Sequence, residues 1–408
     1  MQYIKRDMED VLLRMSNHFK VVLVTGPRQA GKTTMMKKLM EDSDRTYVTL
    51  DDLVARDLAK NDPGAFIRTF APPVFIDEVQ YAPELFSYIK IQVDKRMQNG
   101  DYWLSGSQVF SLMRGVSESL AGRVGLLDLF PLSQNEMYNH KPCAPLSTAF
   151  DSLRERAGNI PEASPIDVFT RIFNGGMPQV SAEGADSRAR FYDSYVRTYL
   201  ERDVRDLSGN INVLKFHRFM VAVAARAAQL INFKAVADDA EIDQVTAKSW
   251  LNILESSGLV FYLHPYSNNL LKRTIKSPKL YFYDCGLVAH LARWSSVEAL
   301  MNGAQAGALL ENYVVSEIVK GYYNCGQRPF LYYFRDRDNK EIDLLWEANG
   351  MLHPLEIKKT SSPDVRLTNV FRVLEKSDKI PGSGGIVCLY DDAVLLNENY
   401  SVIPVRCV

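Results

Sequence analysis

Short apolar runs alternate with longer stretches of helical hydrophobic spacing over the first third of the chain. In stretches such as 83–98, apolar residues recur every three or four positions, which predicts amphipathic helices. Alternating strands and helices indicate an α/β fold with a parallel sheet, whose ligand binds at the carboxyl ends of the strands. The predicted strands lie at 21–25, 46–50, 74–77, 101–105 and 124–129.

Two further patterns follow in the remainder of the chain. Positions 216–283 combine three helical stretches with two apolar strands, an order that resembles a winged helix. From 307 a helical stretch precedes a strand at 330–334 and then two alternating strands within 341–358. We therefore expect a helical segment and a second α/β domain after the first sheet.

A glycine-rich segment follows the first predicted strand and has the spacing G-x-x-x-x-G-K-T of a phosphate loop. Its glycines let successive backbone N–H groups point at phosphate oxygens. We expect Lys32 to reach the β- and γ-phosphates and Thr33 to ligate Mg²⁺. The helix predicted for 32–40 directs its positive end at the same anion. The predicted ATP-binding residues are Gly26, Pro27, Arg28, Gln29, Ala30, Gly31, Lys32, Thr33 and Thr34.

Another apolar strand ends in two carboxylates, Asp77 and Glu78. We expect Asp77 to hold Mg²⁺ indirectly, behind its direct ligands, and Glu78 to polarise the attacking water. A phosphate loop followed by this pair of acids predicts ATP hydrolysis, with ATP and Mg²⁺ as the required ligands.

Two more positions are candidates for contact with the γ-phosphate. The fourth predicted strand ends in Ser105-Gly106-Ser107, where we favour Ser105 as the sensing residue over Ser107; a simple strand-to-helix turn is the alternative. Arg123 stands immediately before the last strand and is a candidate arginine finger for a neighbouring copy in a homo-oligomer. A surface role for Arg123, or the same role for Arg114, is equally compatible with the pattern.

Composition and charge restrict the remaining functions. The 408 residues are 46% hydrophobic and 24% charged with a net charge of −1, so nucleic-acid binding would require a local basic patch. The five scattered cysteines lack a Cys-x-x-Cys pair, which argues against a zinc site and for a reducing compartment. No signal-peptide pattern or apolar run of membrane-spanning length occurs, which predicts a cytoplasmic protein without a membrane partner.

The winged-helix-like segment supplies such a local patch. Residues 211–283 contain nine Lys or Arg and five Asp or Glu, a local net charge of +4. In the last of its helices we expect Val245, Leu251 and Leu254 to face inward. The predicted nucleic-acid contacts are Lys248, Lys272, Arg273 and Lys276. A helical module that only packs domains together is the alternative.

The alternating strands near the end of the chain form a hairpin with acidic residues on one face. Asn349-Gly350 is a strong signal for a two-residue turn. This turn places Asp343 opposite Glu356, and it pairs Ile342 with Ile357. Two facing carboxylates repel each other unless a divalent cation, a shared proton or a lysine lies between them.

Several motifs together resemble one protein family. They are GPRQAGKTT, VFIDEVQ, SGS, AGR, GGMP, YVRTYLERDVRDL and KLYFYDCGLVAHL. The sequence is similar to predicted prokaryotic AAA+-type ATPases with a C-terminal domain of unknown function. The resemblance implies an AAA+-like core, a winged-helix segment and a restriction-endonuclease-like tail.

The hairpin itself looks like the core of a PD-(D/E)xK nuclease. That resemblance implies Asp343 and Glu356 as metal ligands, Lys358 as the residue that orients the nucleophilic water, and Glu311 as a helper from the preceding helix. Ile342 stands where the name-giving proline would be. An exposed charged strand face with a Glu341–Lys358 ion pair is the alternative.

The predicted architecture is therefore an α/β protein in four parts. They are an AAA+-like phosphate-loop sheet at 1–140, a helical connection at 141–210, a winged-helix-like domain at 211–300 and a nuclease-like α/β domain at 301–408. We expect an ATPase whose ATP state is coupled to a DNA-binding or DNA-cleaving tail. The alternative is a regulatory switch that docks a protein partner and carries an inactive tail.

Overall fold

The computed structural model describes residues 3–408 except 97, 108–111, 113–117, 141–143, 201–211, 268–276 and 337. In its first part, the predicted strands form a parallel sheet in the order β2-β3-β4-β1-β5. Strands β1 to β5 span Val21–Thr25, Thr46–Thr49, Val74–Asp77, Tyr102–Gly106 and Val124–Asp128. Helices α1 to α5 span Glu9–His18, Lys32–Met40, Leu53–Asn61, Pro63–Thr69 and Leu85–Arg96. Each predicted strand is confirmed to within one residue at either end.

Strand β1, which lies between β4 and β5, is buried along its whole length, and this burial explains its uninterrupted apolar sequence. Val21 and Leu23 pack into the hydrophobic core on one face of the sheet, and Val22 and Val24 pack into the core on the other. Burial on both faces fixes the position of the loop that follows β1, and this loop carries the glycine-rich motif.

A group of helices connects this sheet to the rest of the chain. Helices α6 to α10 span Gln134–Tyr138, Phe150–Asn159, Pro165–Asn174, Pro178–Glu183 and Ala185–Tyr195. The charged helix predicted for 187–207 is α-helical only to Tyr195, after which Val196–Leu200 forms a π-helical turn. The remainder of that prediction lies outside the described residues.

The next segment contains three helices and a small antiparallel sheet in the order β6-β8-β7. Its elements are α11 (Val213–Ala224), β6 (Gln229–Leu230), α12 (Phe233–Ala240), α13 (Gln244–Ser256), β7 (Val260–Leu263) and β8 (Lys279–Phe282). Asp243 caps α13 by accepting a hydrogen bond from the N–H of Thr246, and Leu251 and Leu254 are buried as predicted. Val245 was expected to face inward but is 77% exposed, because the buried stripe of α13 begins at Ala247.

The last part is a six-stranded sheet packed against helix α16. Helices α14, α15 and α16 span Cys285–Leu291, Val297–Asn302 and Ala306–Asn324. Strands β9 to β14 span Leu331–Arg335, Glu341–Ala348, Met351–Lys358, Ile380–Pro381, Gly384–Cys388 and Tyr400–Pro404. The order is β14-β13-β11-β10-β9, with β12 paired to β11. Short 3₁₀ segments span Val365–Lys376 and Val405–Cys407.

One hydrophobic cluster joins the connecting helices, the small sheet and α16, so these parts share a continuous core. Among the helices in the described ranges, none combines the length and the apolar character needed to cross a membrane.

Candidate functional site

The phosphate loop, residues 26–34, joins β1 to α2 at the carboxyl end of the parallel sheet. Gly26 and Gly31 have φ angles of 139° and 94°, in the region that favours glycine. A Cβ atom at Gly26 would lie 2.0 Å from the carbonyl oxygen of Leu129. Lys32 is 5% exposed, and its Nζ donates to the carbonyl oxygens of Gly26 and Pro27 at 2.9 and 2.8 Å. The backbone of the phosphate loop therefore surrounds the Lys32 ammonium group.

Asp77 lies at the end of β3, two strands away from the phosphate loop in the sheet. Its carboxylate accepts hydrogen bonds from Thr33 Oγ1 at 2.9 and 3.0 Å, from the Tyr47 hydroxyl at 3.2 Å, and from Ser105 Oγ. Burial, followed by the charge of Asp77, raises the pKa of Tyr47 to about 12, so Tyr47 remains a neutral donor. Asp77 thus meets hydroxyl groups beside Thr33, an arrangement of hard oxygen atoms that fits Mg²⁺.

Glu78 follows directly and has a φ of 57°, the left-handed region, at the start of a 3₁₀ turn over Val79–Tyr81. The Nε2 amide of Gln80, within that turn, donates to Glu78 Oε2. The turn therefore directs the Glu78 carboxylate and supplies it with a neutral partner. The sequence analysis did not single out Gln80, although its place two residues after the acid pair is a usable signal.

A cavity of about 490 Å³, called here the nucleotide cavity, opens beside the phosphate loop. Its lining residues are Arg28, Gln29, Gly31, Lys32, Thr33, Thr34, Asp51, Glu78, Ser107, Pro178 and Gln179. The phosphate loop and Glu78 thus face one common space, as the sequence predicted for an ATP site.

The serine that faces this cavity is not the one we favoured. Ser105 is fully buried, and its hydroxyl is directed to Asp77. Ser107 lines the cavity. Ser105 is therefore placed to orient Asp77, whereas Ser107 has the position expected of a residue that contacts the γ-phosphate.

Arg123 lies at the amino ends of the strands, whereas the phosphate loop lies at their carboxyl ends. It precedes β5, whose first residue, Val124, pairs with Val21 at the start of β1. Five residues of β1 separate that point from the loop, a distance of about 16 Å. The guanidinium forms a two-pronged ion pair with Asp94, at 2.6 and 2.9 Å. Arg123 therefore cannot act on the ATP site of its own chain. The rival Arg114 lies outside the described residues.

Later parts of the chain touch the phosphate loop from outside. Pro178 and Gln179 of α9 line the nucleotide cavity, and the Tyr195 hydroxyl of α10 donates to the carbonyl oxygen of Arg28 at 3.4 Å. A Cβ atom at Gly258, just after α13, would lie 3.0 Å from Pro27 Cδ. Sequence reasoning missed these contacts, because the residues are distant in the chain.

The GGMP bend positions α9 in this arrangement. The backbone N–H of Gly176 donates to Asp284 Oδ2 at 2.7 Å, and Asp284 also accepts a hydrogen bond from the Tyr192 hydroxyl at 2.7 Å. A Cβ atom at Gly175 would lie 2.4 Å from that hydroxyl, and φ at Gly175 is 74°. Glycine is therefore required where the bend packs against the residue that caps α14.

The predicted hairpin is present in the C-terminal sheet. Strands β10 and β11 pair from Leu344↔Leu355 to Ala348↔Met351, the register that the Asn349-Gly350 turn predicts. The predicted Ile342–Ile357 pair is not part of this ladder, which ends at Leu344↔Leu355, and the two side chains lie in different hydrophobic clusters. The pairing of β10 with β9 is irregular in the same region, between Ile342 and Leu345.

A lysine side chain lies between the acidic residues of this hairpin. Lys358 Nζ contacts Asp343 Oδ2 at 3.0 Å and Glu356 Oε2 at 2.5 Å. Asp343 also accepts a hydrogen bond from the backbone N–H of Ile357 at 2.8 Å. Asp343 and Glu356 therefore do lie together, and Lys358 bridges them.

A second lysine enters from β8. Lys279 Nζ contacts Glu311 Oε1 of α16 at 2.9 Å and Glu341 Oε1 of β10 at 2.6 Å. The Tyr281 hydroxyl donates to Glu311 at 2.7 Å. Glu341 therefore pairs with Lys279 instead of Lys358, and Lys279 is buried. We call Glu311, Glu341, Asp343 and Glu356 the carboxylate cluster.

The environment of the carboxylate cluster favours the protonated form of two of its glutamates. Burial, and next the charge of Asp343, raises the pKa of Glu311 to about 7 and that of Glu356 to about 8. The part of the chain that the structure describes holds no group of three or more His, Cys, Asp or Glu side chains arranged to bind a metal ion. The predicted metal set of Glu311, Asp343 and Glu356 is thus not assembled, because lysines occupy the space between the carboxylates.

The predicted nucleic-acid contacts are described only in part. Lys248 is exposed on α13, with Nζ 5.3 Å from the centre of the Phe233 ring. Two other basic residues of this segment form ion pairs, Arg218 with Glu241 and Arg226 with Asp239. These pairs reduce the local basic patch. Lys272, Arg273 and Lys276 lie outside the described residues.

Comparison with known families gives three matches along the chain. Residues 18–138 match the AAA domain, residues 166–298 match a domain of unknown function (DUF8612), and residues 306–408 match another (DUF4143). The AAA match contains the phosphate loop, Asp77 and Glu78.

Similar solved structures include the Walker-type ATPase of Pyrococcus abyssi, which is 14% identical with a TM-score of 0.45 and covers 71% of this chain and 96% of that one. Another is the RuvB Holliday junction branch migration motor of Thermotoga maritima, which is 16% identical with a TM-score of 0.29 and covers 62% and 86%. Scores this low support no argument about function.

Curated relatives give a firmer result. Uncharacterized proteins of Mycobacterium bovis (strain ATCC BAA-935 / AF2122/97) and Mycobacterium tuberculosis (strain ATCC 25618 / H37Rv) are each 30% identical over 403 residues. The alignment covers 96% of this chain and 84% of each relative. The chain therefore belongs to an AAA+-type ATPase family together with these two mycobacterial proteins.

Proposed function

We propose that this protein is a Mg²⁺-dependent ATPase that hydrolyses ATP through Glu78 and transmits its nucleotide state to residues 144–408, called here the C-terminal half. The nucleotide cavity is the observation that carries this proposal. Phosphate-loop residues and Glu78 line it together with Pro178 and Gln179 of the C-terminal half. A change at the γ-phosphate would therefore act directly on α9.

The residues of the cavity divide the work of hydrolysis. Bound Mg²⁺ would neutralise charge that develops on the transferred phosphoryl group. Thr33 and Asp77 offer the oxygen atoms that would hold it. Lys32 supplies positive charge to the β- and γ-phosphates, Glu78 polarises the attacking water, and Ser107 suits contact with the γ-phosphate.

Three contacts support the coupling of this site to the C-terminal half. The Tyr195 hydroxyl bonds the Arg28 carbonyl, and Gly258 packs against Pro27. Glu317 of α16 accepts a hydrogen bond from the buried N–H of Gln134 at 2.8 Å. Helix α16 also carries Glu311, so it links the ATPase domain to the carboxylate cluster in one rigid element.

Hydrogen exchange tests the coupling directly. We expect a non-hydrolysable ATP analogue with Mg²⁺ to slow amide exchange in 178–195 and in α16, as well as in the phosphate loop. Tyr195→Phe removes the hydroxyl that holds Arg28; it should leave ATP affinity within about threefold while reducing the response in the C-terminal half. Protection confined to 18–138 would show that the two parts are uncoupled.

Nucleic-acid binding by the C-terminal half is a second candidate. The order of helices and strands from α11 to β8 resembles that of a winged helix, and Gln244, Lys248 and Asn252 are exposed on α13. Neutralising Lys272, Arg273 and Lys276 together should weaken binding to DNA and reduce its salt slope by up to about three. If the wild type binds neither DNA nor RNA at low ionic strength, the docking of a protein partner becomes the better reading.

Arg123 has a role in hydrolysis only if two copies meet. Its position at the amino ends of the strands, away from the nucleotide cavity of its own chain, suits insertion into the cavity of a neighbouring copy after release from Asp94. Arg123→Ala and Lys32→Ala should then each be inactive alone and regain partial activity when mixed. Failure to regain activity on mixing would remove this role.

A further inference from the structure

Arg6 was not singled out by its sequence context, yet it contacts the phosphate loop. It precedes α1 and is 3% exposed. Its Nη1 donates to the carbonyl oxygen of Ala30 at 2.7 Å, and its Nη2 donates to that of Phe130 at 2.7 Å. Its Nε donates to Glu136 Oε1 of α6 at 2.8 Å. One guanidinium therefore joins the loop, the segment after β5 and a buried carboxylate.

Glu136 is held in its charged form by this arrangement. The carboxylate also accepts hydrogen bonds from the backbone N–H groups of Asp7 at 3.0 Å and Ser133 at 2.9 Å. Burial by itself would raise the pKa of Glu136, but Arg6 and these N–H groups hold it below the usual value. A fully buried ion pair of this kind is costly to assemble, so it points to a need for the guanidinium at this place.

The geometry of the peptide bond links Arg6 to phosphate binding. The carbonyl of Ala30 and the N–H of Gly31 belong to one planar trans peptide, so they point in opposite directions. Arg6 holds the Ala30 carbonyl on the outer side of the loop, and the Gly31 N–H consequently faces the inner side. Gly31 lines the nucleotide cavity, where inward N–H groups bind phosphate oxygens.

We infer that Arg6 is a positioning residue of the ATP site, which presents the Gly31 N–H to the phosphates by holding the Ala30 carbonyl. The inference rests on the proposed function, since it concerns the same cavity. It assigns the residues before α1 a direct part in nucleotide affinity.

Two variants separate positioning from simple stability. Glu136→Gln removes the buried negative charge and keeps Arg6 on Ala30. Arg6→Met/Glu136→Gln removes both charges, leaves no unpaired ion and loses the Ala30 contact. Both are measured by binding of a fluorescent ATP analogue with Mg²⁺, by steady-state hydrolysis and by thermal unfolding.

We expect Glu136→Gln to change the KM for ATP by less than about threefold. The double variant should raise both Kd and KM at least about 10-fold, the effect of losing one charge-assisted hydrogen bond, with kcat changed less than about threefold. In a further variant, Arg6→Lys/Glu136→Gln, the ammonium can donate to Ala30, so part of the affinity should return.

Equal KM values in Glu136→Gln and the double variant would overturn the role of Arg6, as would a loss confined to kcat. If the double variant does not fold, Arg6→Gln/Glu136→Gln decides, because the shorter neutral side chain at position 6 falls short of the Ala30 carbonyl while it can still pair with the amide at position 136: raised KM at unchanged kcat supports positioning, and unchanged KM refutes it. A wild-type protein that neither binds nor hydrolyses ATP would instead refute the proposed function, so the two failures are distinct.

Discussion

Two acidic sites of this molecule differ in what surrounds their carboxylates. Asp77 meets hydroxyl groups of Thr33, Tyr47 and Ser105 beside an open cavity. The carboxylate cluster meets two ammonium groups, those of Lys279 and Lys358. Neutral hydroxyls leave the negative charge of Asp77 available to a cation, whereas lysines already compensate the second site. Carboxylates thus have hydroxyl partners at the first site and ammonium partners at the second.

The comparison also shows where charge compensation originates. Thr33 is delivered by the phosphate loop, close to the place where sequence spacing put it. Lys279 comes from β8, far from the hairpin in the chain. A local sequence motif therefore predicts which acidic residues lie together, but it does not predict which distant lysine neutralises them.

The largest expected effect is a loss of stability when the carboxylate cluster loses one of its lysines. Lys279→Met removes the buried ammonium that pairs with Glu311 and Glu341, and Glu311 then keeps its hydrogen bond from Tyr281 but loses this cation, which should lower the free energy of unfolding by about 3–5 kcal/mol. Chemical denaturation measures this. Lys340→Met, at an exposed position beside the same hairpin, should change stability by less than about 0.5 kcal/mol. Equal effects of the two substitutions would show that Lys279 is not a structural cation.

The next largest effect is a loss of ATP affinity when the phosphate loop loses its lysine. Lys32→Ala removes the buried charge of the phosphate loop and should weaken ATP binding about 100-fold, or about 2.7 kcal/mol. Titration calorimetry provides the affinity. Lys38→Ala, on the exposed side of the same helix, serves as the control and should bind ATP like the wild type. Retained affinity in Lys32→Ala would place the nucleotide elsewhere.

The pH dependence of stability should also distinguish the two sites, because the raised pKa of Glu356 lets the folded carboxylate cluster keep a proton that the unfolded chain releases. The folded protein holds a proton on Glu356 up to a pKa of about 8, whereas the unfolded chain releases it near the ordinary glutamate value. Stability from this group is therefore complete at low pH and is lost as pH rises. Between pH 5 and 7 the loss should be on the order of 2 kcal/mol.

Glu356→Gln should flatten that dependence, and Glu398→Gln, an exposed change in the same domain, should leave it as in the wild type. Unfolding free energies at pH 5, 6, 7 and 8 provide the comparison. A wild-type stability that rises through this window would refute the assigned direction.

Local signals explain what the sequence could predict. The strands, the phosphate loop, the Asp77–Glu78 pair and the Asn349-Gly350 turn each depend on neighbours within a few residues. The choice between Ser105 and Ser107 depends on which side chain faces the cavity after the strand ends, and no local signal gives this. The Ile342 pairing lies beyond the last described β10–β11 pair, where the register of β10 with β9 is also irregular. Arg6, Gln179 and Lys279 act through contacts between distant segments, which no spacing rule contains.

The smallest effect separates the two serines. Ser107→Ala removes a hydroxyl from the cavity wall and should lower kcat/KM by about fivefold, close to 1 kcal/mol. Ser105→Ala instead removes a donor to Asp77 and should alter the Mg²⁺ concentration needed for half-maximal activity. Steady-state hydrolysis at varied Mg²⁺ distinguishes them. The reverse pattern would restore Ser105 as the residue that contacts the γ-phosphate.

The central claim is that Glu78 drives ATP hydrolysis in the nucleotide cavity, and phosphate release by Glu78→Gln tests it most directly. The amide keeps the size of the side chain and removes the group that polarises water, so nucleotide affinity should stay within about threefold while turnover falls at least about 100-fold. Glu84→Gln, an exposed change nearby, should hydrolyse ATP normally. Undiminished turnover in Glu78→Gln, with Mg²⁺ present, would contradict the account.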